Sequence, residues 1–162
     1  MTQLAPIDPA GIRDASPLLA LNRAHEAELS PLTAPELRGL VETSFLALAA
    51  PDAAAFLIAF DQDAPYASPN FLWFKARLPR FVYVDRIAVA AQARGRGLAR
   101  ALYDALFDAA RAAGHDAVVC EVNAEPPNPA SDAFHAALGF EIVGEARLAD
   151  RGKTVRYFRR GL

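Results

Sequence analysis

The sequence predicts a single α/β domain, residues 1–162, whose mixed and mostly antiparallel sheet is flanked by helices. Three observations carry this expectation. The run Phe81, Val82, Tyr83, Val84, Ile87, Ala88 and Val89 places apolar residues on both faces of a strand, as an internal sheet position requires. A loop with two glycines, residues 92–97, leads directly into helical periodicity from Leu98 to Ala113. A second buried-strand pattern, Asp116 to Asn123, follows that helix.

The elements can be justified in order. Leu18, Leu19 and Leu21 follow Pro17, and after Pro35 the residues Leu37, Leu40 and Val41 recur at intervals of three and four from Leu37, so two short helices are expected. The apolar runs Phe45 to Ala49 and Ala55 to Phe60 are too short for helices, and Pro51-Asp52 turns the chain between them, giving two antiparallel strands. Residues 61–80 are crowded with Asp, Pro, Ser and Asn but also hold Tyr66, Phe71, Trp73 and Phe74. A structureless segment of that length is unusual in a compact domain. Two readings follow: a lid or pocket wall presenting Tyr66, Asn70, Trp73 and Phe74 to a ligand, or a short helix from Asn70 whose aromatics fill the core. After the glycine loop, Leu98, Leu102, Ala105, Leu106 and Ala109 form one apolar stripe, which Gly114 closes. Asn128 caps a further helix with Pro129 at its first position, stopping at Gly139. Phe140 to Val143 and Thr154 to Phe158 complete the sheet.

Composition excludes several classes of function. A 53% hydrophobic fraction is incompatible with a disordered chain. With 17 Lys and Arg against 19 Asp and Glu the net charge is −2, which gives no electrostatic basis for a nucleic-acid or membrane partner. The single Cys120 forbids an intramolecular disulfide, and the histidines at 25, 115 and 135 lack ligand spacing, so no metal is expected. The N-terminus lacks the order of a signal peptide and no apolar run could span a bilayer, so the expected setting is the cytoplasm of a bacterium, as a monomer or homodimer.

The glycine loop carries the chemistry. A strand that ends in a loop and enters a helix aims backbone N–H groups at the positive end of the helix dipole, which is an anion site. Gly95 and Gly97 remove side chains that would keep an oxygen from those amides, and Arg94, Arg96 and Arg100 add local positive charge. A kinase-type phosphate loop needs a longer spacer between its glycines and a following Lys with Ser or Thr, whereas Leu98 and Ala99 follow Gly97. The dinucleotide fingerprint finds Arg100 where its third glycine should be. A glycine turn that merely starts a helix would not need two glycines and three arginines.

Here the chain resembles the GNAT superfamily of acyl-CoA-dependent N-acetyltransferases. That family's signature, Gln or Arg, two residues, Gly, one residue, Gly or Ala, is met by Gln92, Gly95 and Gly97. Its second element, an Asn opening a helix that ends in Gly-Phe, is matched by Asn128, Gly139 and Phe140. The resemblance covers Phe81 to Glu145 and implies splayed central strands, with acetyl-CoA as the acetyl donor. Its pyrophosphate would rest on the amides of Gln92, Ala93, Arg94, Gly95, Arg96 and Gly97 at the entry to Leu98 and Ala99. Its pantetheine would run beside Ile87, Ala88 and Val89, with the Val89 N–H polarising the thioester carbonyl. Asn128, Ser131 and His135 complete the implied cofactor side, and Asn123 the acceptor side.

Acetyl transfer needs a neutral amine, yet a lysine-like amine with a pKa of about 10.4 is almost wholly charged at neutral pH. Asp85 and Glu121 are the base candidates, because a carboxylate in a strand buried on both faces is costly without a purpose. Asp85 has the alternative of pairing with Arg86. The departing thiolate needs a proton, and where the resembled family commonly places a Tyr this chain has His135, whose position in the last helical turn favours the imidazolium. Ser131 and water are alternative donors. The acceptor is expected to be a small-molecule amine or a peptide or protein N-terminus. A module that senses acyl-CoA without turnover is the competing reading.

Overall fold

The computed structural model describes residues 2–162. Helix α1 (Pro17–Ala24) begins on a proline, helix α2 (Ala34–Thr43) has Pro35 at its second position, and α2 opens with a reciprocal cap in which Thr33 and Glu36 serve each other's backbone amides. The strands are β1 (Ala5–Pro6), β2 (Leu46–Ala49), β3 (Ala55–Asp61), β4 (Val82–Val89), β5 (Ala117–Glu125), β6 (Glu141–Leu148) and β7 (Lys153–Gly161). They form one open sheet in the order β1-β2-β3-β4-β5-β7-β6. Every pairing is antiparallel except β4 with β5, so the expected mixed sheet is observed. The two-residue β1 had no counterpart in the sequence reading, because Ala-Pro carries no periodicity.

The segment 61–80 resolves into both of its expected readings. Helix α3 (Pro69–Lys75) buries Phe71 and Phe74 completely, while Tyr66, ahead of the helix, borders a cavity. Helix α4 (Leu98–Ala112) lays Leu98, Leu102, Tyr103, Leu106, Phe107 and Ala110 on the sheet, and Gly114 ends it at φ +79°. Ala105 and Ala109, expected in the same stripe, are only half-buried at its margin. Helix α5 (Pro129–Ala137) starts where Asn128 accepts a hydrogen bond from the Ser131 amide at 3.3 Å. Among the described residues no helix is long and apolar enough to cross a membrane.

The central irregularity positions the site. Strands β4 and β5 pair only at Val82 with Val118 and Tyr83 with Val119, then separate. On the other side of β4, Arg86 lies opposite Ile58 and Val84 opposite Ala59, so Asp85 is an extra residue in the ladder. Such a bulge bends its strand and strengthens its twist. The bend carries the remainder of β4 away from β5 and leaves a wedge-shaped gap in the middle of the sheet.

Candidate active site

The gap is a cleft of about 580 Å³, walled by β4 on one side and by β5 with α5 on the other. Strand N–H groups alternate in direction. The Ala90 amide donates to Ala54 of the loop before β3 at 2.8 Å, so the Val89 amide, one residue earlier, points towards β5 and into the gap.

At the outer end of the cleft the chain turns through Ala91–Ala93 and reaches α4 with both glycines left-handed, Gly95 at φ +79° and Gly97 at φ +74°. A Cβ on either glycine would meet nothing within 4 Å. Packing therefore does not demand glycine here; backbone conformation and open access do. Among the described residues the amides from Gly95 to Arg100 find no backbone acceptor, and the first to do so is Ala101, on Gly97. Four or more N–H groups thus face solvent at the positive end of a fifteen-residue helix. Since α4 starts at Leu98, the amide cradle runs from Gly95 to Ala99. The signature spacing also fits two residues later, at Arg94, Gly97 and Ala99, and that second frame is the one seated on the helix.

Glu121 lies deeper, on β5. Its carboxylate accepts from the Tyr83 hydroxyl at 2.9 and 2.8 Å and from Asn70 Nδ2 at 3.0 Å, and Tyr157 in turn donates to Asn70 Oδ1 at 2.9 Å. Burial raises this carboxyl to about 7, against the partial relief of the Tyr83 hydrogen bond. A carboxylate poised there is matched to proton transfer near neutral pH.

Asp85 has a different environment. It pairs with Arg86 Nε at 2.8 Å, both side chains nearly inaccessible, and it accepts a hydrogen bond from Tyr66. Arg86 continues to Asn22 Oδ1 at 2.8 Å, to the Ser30 carbonyl at 3.2 Å and to Ser30 Oγ at 3.0 Å. The pair is thus a strut that ties the bulge of β4 to the segment between α1 and α2. The alternative foreseen for Asp85, pairing with Arg86, is the one observed.

His135 departs from expectation. Its Nδ1 lies 2.7 Å from the Ser131 carbonyl, which can only accept, so Nδ1 carries the proton and Nε2 accepts from the Tyr103 hydroxyl at 2.8 Å. Burial against Tyr103, Phe134, Phe140 and Phe158 lowers its pKa below the usual histidine value. The ring is neutral, not the imidazolium that its place in the last turn suggested, because desolvation outweighs the helix dipole.

The structure brings Asp85, Ile87, Ala88, Val89, Arg94, Glu121, Asn123, Asn128, Ser131 and His135 to one cleft, with Asn70 at its floor. Tyr66 borders an adjoining chamber of about 380 Å³ that meets the cleft at Asp85 and Glu121. Two expectations need correction. Phe74 is wholly buried in the core, and Trp73 stacks on Tyr157 at 4.1 Å against β6, so neither reaches a ligand. Gln92, Ala93, Gly95, Arg96, Gly97, Leu98 and Ala99 lie at the lip of the cleft, and the amides of Ala93 and Arg94, expected to hold an anion, donate instead to the Ala90 and Ala91 carbonyls at 2.9 and 3.4 Å. Tyr83, Tyr103 and Tyr157 were not foreseen. Tyr83 shares a strand with Asp85 at an interval of two, a signal that was available; the other two meet the site only through tertiary packing.

Among the described residues no group of three or more His, Cys, Asp or Glu could hold a metal ion. The profile of the Acetyltransferase (GNAT) family matches residues 21–140. No curated protein matches the chain. Solved structures match over nearly the whole length. The ribosomal-protein-S18-alanine N-acetyltransferase from Escherichia coli is 18% identical, covering 99% of this chain and 94% of its own, with a TM-score of 0.68. NAA60 from Arabidopsis thaliana, in complex with acetyl-CoA, is 17% identical over 100% and 99%, with a TM-score of 0.71. A GNAT-family acetyltransferase from Streptococcus pneumoniae is 17% identical over 100% and 99%, with a TM-score of 0.72. At these identities the likeness is one of fold.

Proposed function

The chain belongs to the GNAT family of acetyltransferases, and from that premise we propose that it moves the acetyl group of acetyl-CoA directly to an amine, with Glu121 as general base. The observation that supports this reading best is the gap between β4 and β5, which sets an amide-rich helix terminus at one end and a carboxyl of pKa about 7 at the other.

The donor's pyrophosphate rests on the amides from Gly95 to Ala99, and Arg94 borders the cleft beside them. The pantetheine lies along Ile87 to Val89, where unpaired strand groups of β4 supply the hydrogen bonds that β5 does not. The thioester carbonyl oxygen accepts from the Val89 N–H, which stabilises the charge that develops as the amine attacks. The amine nitrogen bonds to the carbonyl carbon, its proton passes to Glu121, and the carbon–sulfur bond breaks.

Cys120 and Glu121 alternate on β5, beside Phe158 and Tyr157 respectively on β7. Glu121 thus faces Tyr83, Asn70 and Tyr157, whereas His135 packs with Phe158 on the opposite face. Amine and thiolate are handled on opposite faces of one strand. His135 takes a proton from solvent in the cleft onto Nε2 and passes it to sulfur, exchanging its hydrogen bond with Tyr103 for one to the thiolate, while the proton held by Glu121 returns to solvent as the product leaves. The charge growing on sulfur supplies the counter-charge that favours protonation of a ring otherwise neutral.

Incubation with acetyl-CoA and a pooled set of amines and peptides, read by free-thiol detection and product mass, tests the proposal. Acetylated product with stoichiometric thiol is the expected result. Saturable acetyl-CoA binding without any acetylated product would favour the sensor reading instead.

A further inference from the structure

The chamber in front of Glu121 presents charges that the transfer chemistry does not use. Asp85 and Arg86 neutralise each other within its wall. Four charged side chains remain. Glu26 and Glu28 come from the segment between α1 and α2, Arg151 from the turn between β6 and β7, and Lys153 from the first position of β7. Among the described residues none of the four has an ion-pair partner within 4.0 Å. Lys153 Nζ donates to the Ala27 carbonyl at 3.4 Å, which sets the ammonium on the peptide between the two glutamates. Carboxylates and cations therefore lie beside one another at one opening, and the titrating carboxyl of Glu121 lies at its inner end.

We propose that the acceptor is a small α,ω-diamino carboxylate that enters with its ω-amine foremost. This rests on the acetyl-transfer reading and names its substrate class. The ω-nitrogen reaches Glu121, while the head group left at the mouth carries one ammonium and one carboxylate. The ammonium meets Glu26 and Glu28, and the carboxylate meets Lys153 and Arg151. A ligand with only an amine would leave both cations without a partner, and one with only a distal carboxylate would leave both glutamates facing it. The chamber of about 380 Å³ has room for a free amino acid. In the reaction the ω-nitrogen bonds to the acetyl carbon as the carbon–sulfur bond breaks, the amine proton goes to Glu121 and coenzyme A leaves as the thiolate, which takes its proton through His135.

The test compares lysine and ornithine with cadaverine and putrescine, the same chains without the carboxylate, and with an unblocked octapeptide. Acetyl-CoA binding is measured by calorimetry on the same protein. The diamino acids are expected to exceed the diamines in kcat/KM by roughly tenfold or more, with acetyl on the ω-nitrogen. Lys153→Ala is expected to raise KM for the diamino acids by about tenfold without raising that for the diamines, with Lys153→Arg restoring it. Equal use of diamines, preference for the octapeptide, acetylation at the α-nitrogen, or no diamino acid product overturns the acceptor class. If acetyl-CoA binds throughout, the donor side of the acetyl-transfer reading stands; if it does not bind, that reading fails as well.

Discussion

Replacing Glu121 with Gln keeps the shape of the side chain and removes its titration, so stability and catalysis can be read from one variant. Burial lifts the carboxyl from its ordinary 4.5 to about 7. In the pH interval between those values the folded protein holds a proton that the unfolded chain has released, so stability falls as pH rises. The displacement amounts to about 2 to 3 kcal/mol, the lower figure allowing for the carboxylate edge that meets solvent in the cleft. Above pH 7 the whole penalty is present; below pH 4.5 it is absent. Urea denaturation of both proteins from pH 4.5 to 8.5 isolates this term, because titrations elsewhere cancel in the difference. The Gln variant should gain on the wild type by that amount across the range, its amide donating where Tyr83 then accepts. The same substitution should lower kcat/KM by roughly a hundredfold to ten-thousandfold and abolish a rise in rate through pH 7. Parallel stability curves for the two proteins would show that Glu121 is ionised at ordinary pH, and the argument for its role as base would collapse.

Three further outcomes are expected. Gly95→Val should weaken acetyl-CoA binding at least about tenfold, because it forces a branched residue to φ +79° and sets a side chain before the amides; unchanged affinity by calorimetry rejects the phosphate site. His135→Ala should lower kcat by about a hundredfold with little change in KM for acetyl-CoA, and undiminished turnover removes His135 from the mechanism. Gly144→Ala should destabilise the fold by about 1 to 3 kcal/mol through overpacking. Its Cβ would overlap Trp73 Cζ2, and the indole stacks on Tyr157 and carries the Arg77 guanidinium, contacts that its displacement would break. An unaltered denaturation midpoint contradicts that packing.

What could be read in advance was local. The left-handed turns at Gly95 and Gly97 are a property of consecutive residues, as is the cap at Asn128; the free amides, however, begin at Gly95 and not at Gln92, because the Ala91–Ala93 turn uses those of Ala93 and Arg94. Asp85 and Glu121 stood out because a strand of apolar neighbours makes a carboxylate conspicuous. Their division of labour was not legible, since Glu121 is tuned by Tyr83 and Asn70 and Asp85 is committed through Arg86 to Asn22 and Ser30, partners far away in the chain. His135 shows the same limit. Its helix position argues for a charge that its aromatic surroundings remove. Trp73 and Phe74 looked like ligand-binding aromatics because composition cannot say which side of a short helix faces inward.

The two paired rungs between β4 and β5 make the sheet a pair of panels joined by a short seam, β1 to β4 on one side and β5 to β7 on the other. A donor lodged along the seam grips both panels and acts as a rivet. Its free energy of binding adds to the resistance against opening in proportion to its saturation. Amides on the facing edges of β4 and β5 should then exchange with deuterium more slowly once the donor is bound, while those of the outer β2 and β6 keep their pace.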